Sequence, residues 1–172
     1  MTLRVPRAAV AVLAAAGAAL AWWRVSTADE RRVLRVLREV SELAEKGGAA
    51  ENPVLAALDV GRLSKLVDAR VELLAPELGG ASWTEKREDL VRHAFAAKAR
   101  ASRLSLSFGD VSVRFPSKGR ATAVAEATLE GSTPDFGGAF GGTRRVSVSL
   151  RRDPSSGAWL VTRVAAVPAP GG

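Results

Sequence analysis

The sequence predicts an α+β fold: an N-terminal apolar helix, then helices packed on one face of a curved, mainly antiparallel sheet. Three observations predict it. Residues 8–23 are apolar with no charge between Arg7 and Arg24. From Asp29 to Arg100 apolar residues recur mainly at helical spacing, interrupted by one alternating segment. After Ser102 the period changes to two and stays so to the end of the last strand.

The opening stretch, MTLRVPRAAVAVLAAAGAALAWWRV, reads as a targeting or anchoring segment rather than part of the fold. Sixteen helical residues span about 24 Å, short of the roughly 30 Å hydrocarbon layer. Nine of the sixteen are the weakly apolar alanine, and Ala19-Leu20-Ala21 offers a small-x-small cleavage site. Both facts favour a cleavable signal peptide. Trp22 and Trp23 stand where a membrane-interface anchor would stand, which favours an uncleaved span with its N-terminus in the cytoplasm. Residues 1–25 are thus expected to be a signal peptide or membrane anchor. The protein is expected to be exported: anchored by a single N-terminal span, or periplasmic or secreted. Residues 26–167 are expected to form the domain, and 168–172 a disordered tail.

The first domain helix is expected from about Asp29 to Lys46. Val33, Leu37, Val40 and Ala44 form its stripe, widened by Val36 and Leu43. Thr27 with Glu30 fits a capping box, and Gly47-Gly48 a stop. Pro53 suits the first position of a short helix, and Asp59 can cap another through Leu66. Val67, Ala69, Val71 and Leu73 alternate, as in a strand. In SWTEKRED, Ser82 with Glu85 has the form of a capping box for a second long helix running to about Arg100. Leu90, Val91, Ala94 and Phe95 would form its apolar face.

Four strands should follow. Leu104, Leu106 and Phe108 share one parity, while Val111, Val113 and Phe115 share the other. The flip at Gly109-Asp110 implies one long strand with a bulge. PSKGR is a turn, and ATAVAEATLEG a strand to Gly131. PDFGGAFGGTRR reads as a long glycine-rich hairpin loop, RRVSVSL as a strand and RDPSSG as a turn. AWLVTRVAAV is the last strand, opened by Trp159, which is expected to be structural, as is Phe95.

Composition narrows the chemistry. No cysteine means no disulfide, thiolate metal site or cysteine nucleophile, and a single histidine rules out a histidine-rich metal site. No metal site and no cofactor are expected. The net charge is +7, but the arginines at 31, 32, 35 and 38 are interleaved with Glu30, Glu39 and Glu42. That is a solvated face of mixed sign, and no aromatic platform sits among the basic residues. Nucleic acid is therefore not expected as a partner. The glycine-rich stretch is not a phosphate loop: Gly137 and Gly142 have the spacing, but Thr143 replaces the required lysine and a strand follows. His93 lies off the apolar face of its helix and should be near solvent.

The order of helix, short helices, strand, capped helix and four antiparallel strands ending in Gly157-x-Trp159-x-Val161 resembles the nuclear transport factor 2-like (cystatin-like cone, α+β) superfamily. Leu104–Gly131 and Val146–Val164 carry the resemblance, which covers about Asp29 to Val167. It implies a cone-shaped sheet with a cavity, in a superfamily that holds ketosteroid isomerases, polyketide cyclases and many non-catalytic domains. It also implies that the Ser82–Arg100 helix lines the cavity. Arg87, Val91, Ala94 and Lys98 follow one stripe of that helix. Arg87 and Lys98 are therefore candidate cations for an anionic ligand, against the plainer reading that both snorkel their stems over apolar surface.

Isomerase-like chemistry in that superfamily uses an aspartate base with tyrosine and aspartate oxyanion donors. This chain has no tyrosine, and Glu126 and Glu130 fall on the parity away from the core. Ala121, Ala123, Ala125 and Ala127 occupy the core parity, where small side chains leave a void or let helices approach closely. The expected function is an exported or membrane-tethered, non-catalytic binding domain. Its expected partners are the membrane and a small anionic or apolar ligand, with a homodimer through the sheet. The alternative is a small-molecule isomerase, cyclase or hydrolase using the same cavity.

Overall fold

A computed structural model describes residues 27–47, 53–75, 80–133 and 138–167. The expected anchor, Trp22, Trp23 and the 168–172 tail lie outside these residues. Among the described residues no helix is long and apolar enough to cross a membrane. Chain contacts define two units, Met1–Arg32 and Val33–Gly172. Of the first, only residues 27–32 are described; they are helical, with Arg32 paired to Asp29 at 3.5 Å.

The second unit is built from helices on a mixed seven-stranded sheet. Its elements are the helix of residues 27–44 from Val33 onward (α1), β1 (Lys46–Gly47), α2 (Pro53–Leu66), β2 (Val67–Ala75), β3 (Ala81–Lys86), α3 (Arg87–Arg100), β4 (Arg103–Ser117), β5 (Arg120–Thr133), β6 (Gly138–Arg152) and β7 (Trp159–Ala166). The strand order is β1-β4-β5-β6-β7-β2-β3. Every pairing is antiparallel except that of β2 with β7.

Side-chain periodicity explains most of this. On α1, Val33, Val36, Leu37 and Leu43 are buried at three- and four-residue spacing. The Ser41 hydroxyl donates to the Leu106 carbonyl and fixes α1 against β4. The register of β4 against β5 shifts between Gly109 and Ser112, and Asp110 there has a φ of 46°. This is the expected bulge. It keeps Leu104, Leu106 and Phe108 on the same face as Val111, Val113 and Phe115, and it bends the strand around the helices. Gly119, at φ 73°, closes the β4–β5 turn in a conformation that side chains resist. In the β6–β7 turn, Asp153 accepts from the hydroxyls of Ser155 and Ser156, at 2.6 Å each. Those bonds hold its carboxyl down at about 2, against an ordinary 3.8.

The core fills the space between sheet and helices. Ala121, Ala123 and Ala125 are buried beside Val148 and Leu150, so the alanine row does bring the layers close along half of β5. Trp159 is 3% exposed and its ring meets Phe115 at 5.9 Å between centroids, tilted by 60°. Two lysines lock the helices at one end. Lys46 donates to the carbonyls of Lys98, Ala99 and Ala101 at the C-terminus of α3, at 3.0, 3.1 and 2.6 Å. Lys98 in turn donates to Leu43 O at the C-terminus of α1, at 2.9 Å. Each lysine meets the carbonyls that a helix end leaves without partners.

Three sequence expectations need correction. Residues 53–66 form one helix, not two: Asp59 lies inside α2, where it pairs with Arg62 at 3.4 Å, instead of capping a new helix. Ser82 and Glu85 are in an edge strand, where their residues oppose Leu74 and Val71 of β2. Helix α3 therefore starts at Arg87, and its cap, Lys86, makes no side-chain capping bond. The glycine-rich stretch is not a loop from Gly138 onward. It pairs with β5 without a break from Thr133↔Gly138 to Arg120↔Arg151. Glycine serves here for close approach: a Cβ on Gly141 would stand 2.6 Å from the Leu129 carbonyl oxygen.

Candidate functional site

Between the helices and the concave face of the sheet lies a cavity of about 510 Å³. Leu37, Val40 and Leu43 of α1 and Leu63 of α2 contribute one wall. On α3 the lining runs from Leu90 through Ala94 and Phe95 to Lys98. Inward residues of β2, β4, β5, β6 and β7 complete it, among them Val71, Leu106, Ala127, Val148 and Val161. The same stripes that make the core make the cavity. Ala127 is the point at which the alanine row stops being packed and starts lining open space.

The cavity has a closed and an open end. Val67, Val71, Val148 and Val161 are buried. Leu129 and Phe140, which also line it, are 40% and 37% exposed, and Ala94 and Ala97 are exposed too. The mouth therefore lies between the C-terminal half of α3 and the glycine-rich half of β6.

Lys98 is the only ionisable side chain among the described residues of the lining. It is 5% exposed, so its stem does not snorkel to solvent. Its ammonium meets Leu43 O at 2.9 Å, approaches Asp59 Oδ2 at 3.8 Å and lies 5.8 Å from the centroid of the Phe95 ring. The charge is thus held by protein acceptors at the helix ends. Arg87 lies elsewhere. It is the first residue of α3, eleven residues or about 16 Å along the helix axis from Lys98. Its Nε donates to Val67 O at 3.1 Å and it is not part of the lining. Nearby, Arg151 donates to Asp68 Oδ2 from Nε at 3.0 Å and from Nη2 at 2.7 Å. Burial raises the Asp68 carboxyl, but the Arg151 hydrogen bonds, the Ala69 N–H and the charges of Arg151 and Arg87 outweigh it and leave the pKa lowered. Arg87 and Lys98 therefore belong to two separate places.

Phe95 is half-buried in the cavity wall and Trp159 is in the buried core. His93, Glu126 and Glu130 are exposed, as their parity and helical position predict. Of the lining residues near the mouth, Ala127 stood in the alanine row for which the sequence left a void open, and Phe140 was a candidate to fold over the open end of the cone; Leu129 was not singled out.

A second, shallower depression lies on the outer face of the sheet over Gly141 and Gly142, flanked by Arg103, Thr128, Glu130 and Thr143. Thr128 and Thr143 satisfy each other there at 2.9 Å.

No protein-family model matches the chain, and no curated protein matches it by sequence. Solved structures do match its fold. A protein from Kribbella flavida superposes with a TM-score of 0.66 at 13% identity, over 83% of this chain and 91% of that one. A candidate scytalone dehydratase from Novosphingobium aromaticivorans gives 0.63 at 12% identity, over 82% and 84%. A candidate dehydratase of the nuclear transport factor 2-like family from Streptomyces avermitilis gives 0.60 at 18% identity, over 84% and 98%. The chain has the nuclear transport factor 2-like fold.

Proposed function

We propose that the protein is a non-catalytic binding domain that holds an apolar ligand in the cone cavity. One observation carries this reading: among the described residues the lining is apolar, and its one ionisable group, Lys98, is already engaged by Leu43 O and Asp59. Acid–base catalysis needs a titratable group within reach of the substrate. Burying a ligand's polar group against such walls would cost free energy, whereas burying apolar surface gains about 25 cal/mol per Å². The volume is in the range of sites for small organic ligands.

The test is equilibrium binding of a neutral fluorescent naphthylamine to the full chain in lipid nanodiscs, compared with Ala127→Phe. Saturable one-to-one binding that weakens at least about tenfold in the variant, a loss of roughly 1.4 kcal/mol, is expected. Equal signals from the two would overturn the reading.

The similarity to two candidate dehydratases favours a second reading, a lyase or isomerase using the same cavity. Among the described residues of the lining, Lys98 is the group from which such an enzyme would draw its proton chemistry. Lys98→Met abolishing turnover while leaving naphthylamine binding intact would establish it.

The first 25 residues support a location at or beyond a membrane, by their flanking arginines and uncharged core. Cells making the full chain and cells making one without residues 1–24 should differ on fractionation. Equal cytosolic solubility of both would overturn export or anchoring, and the intact mass of the exported form separates anchor from cleaved signal.

A further inference from the structure

We infer that the ligand carries one anionic group, held at the cavity mouth by Arg144, while its apolar body lies inside. This rests on the cavity being a ligand site and goes on to the charge of what it takes. Side chains alternate along a strand, so Phe140, Gly142, Arg144, Val146, Val148 and Leu150 of β6 share the concave side of the sheet. Phe140, Val146 and Val148 line the cavity, and Leu150 is in the core. On β5 the same side carries every second residue from Ala121 to Gly131, none of them charged. Between Gly138 and Leu150 and their β5 partners, Arg144 is therefore the one charged residue on this side. It stands directly across from Ala127, where the packed row opens into the cavity. A charge set among apolar positions breaks the pattern that folding alone selects, and such breaks mark functional positions.

Arg144 is exposed and is not among the lining residues, so its charge stands at the rim, on the β6 side of the mouth. Inside, Lys98 is held by Leu43 O and stands 3.8 Å from Asp59. An anion drawn in among apolar walls would lose its hydration, so it stays at the rim. There Arg144 offers the planar fork that matches a carboxylate or a phosphate. A guanidinium has five N–H donors, so it serves an anion alongside its protein contacts. The carboxylates of β5, Glu126 and Glu130, fall on the opposite parity, toward the outer face. The mouth therefore favours an acid over a neutral or cationic ligand with the same body.

Two probes with one body test this: neutral phenylnaphthylamine and its ring-sulfonated counterpart. Both are titrated into the full chain in nanodiscs of neutral lipid, with the signal of empty discs subtracted. A sulfonate by itself weakens binding to an apolar site, so tighter binding has to come from a cation. The sulfonated probe should bind about fivefold more tightly at low salt, and the advantage should shrink as salt is added. Arg144→Gln should remove the advantage and leave the neutral probe's affinity unchanged, while Arg144→Lys should keep part of it. Discs containing an anionic phospholipid identify the source of the natural anion. If the sulfonated probe weakens more in the parent than in Arg144→Gln, a lipid headgroup competes for Arg144. If it weakens equally in both, the anion belongs to a free acid. Equal affinities for the two probes, or an advantage that Arg144→Gln retains, would overturn the inference and leave the binding reading standing. No saturable binding of either probe would overturn both.

Discussion

The two ends of the β5–β6 ladder have the same pairing and opposite surroundings. Near the β6–β7 turn, Ala121, Ala123 and Ala125 face Leu150, Val148 and Val146, and the three alanines are essentially inaccessible, as are Val148 and Leu150. Towards the other end, Ala127 faces Arg144, Leu129 faces Gly142 and Gly131 faces Phe140. There every residue of β6 from Gly138 to Arg145 is exposed. Backbone hydrogen bonding is satisfied at both ends. What differs is the layer above the strands. At one end Trp159 and Phe115 help to fill it, and at the other the helices stand over open space as one wall of the cavity. A ladder therefore fixes where a surface is, while the side chains packed over it decide whether that surface becomes core or site.

The largest effect belongs to the packed end. Trp159 is 3% exposed and its ring packs at a tilt against Phe115. Trp159→Ala should cost about 3–5 kcal/mol in denaturant melts of the full chain. A loss under about 1 kcal/mol would mean that this end is not close-packed.

Next comes the same substitution made at both ends. Ala123 is 0% exposed, so Ala123→Leu forces methyl groups into filled space and should cost about 1–3 kcal/mol. Four residues along the same face, Ala127 borders open volume, and Ala127→Leu should cost under about 0.5 kcal/mol or stabilise, because buried methyl groups gain transfer free energy there. Equal costs at 123 and 127 would erase the distinction between the ends.

The contrast also explains what the sequence could and could not reveal. β4 was legible, including its bulge, because its alternation is written in leucine, valine and phenylalanine. The glycine-rich half of β6 was not, because period two is a property of side chains and Gly141 and Gly142 have none. Ser82 and Glu85 fit a capping box, yet pairing of residues 81–86 with β2 takes the backbone first. Asp59 resembled a cap because its partners, Arg62 and Lys98, are a turn away and on another helix. Lys98 was found from its stripe on α3, but its acceptor, Leu43 O, is fifty-five residues distant. A hollow and a packed core share one hydrophobic pattern, so the residues alone left the alanine row open between void and close packing, and the cavity was implied only by the family resemblance.

A smaller effect tests the ion pair that ties β2 to β6 across β7. The lowered pKa of Asp68 means that its pair with Arg151 stabilises the fold above the ordinary carboxylate value of 3.8. That contribution is lost as pH falls through the folded-state pKa. Both partners are partly exposed, so Asp68→Asn should cost about 1 kcal/mol or less at neutral pH. The gap from the parent should close as the pH is lowered from about 5 towards 2. A gap that widens on acidification would mean that the carboxylate is not stabilised by Arg151.

The smallest effect on stability falls at the mouth, where it is also the most informative. Phe140 is 37% exposed and its ring lies over Gly131, where an added Cβ would come within 2.4 Å of it. The ring is thus one lip of the cavity rather than a member of the buried core. Phe140→Ser removes the lip without opening a closed void, so the melt should move by no more than about 0.5 kcal/mol. Binding of the naphthylamine should nonetheless weaken severalfold, because the mouth loses apolar contact area that only the ligand completes. A stability loss near about 3 kcal/mol would place Phe140 in the core rather than at the mouth. An unchanged melt with weakened binding is the outcome that separates a surface built for a ligand from one built for folding.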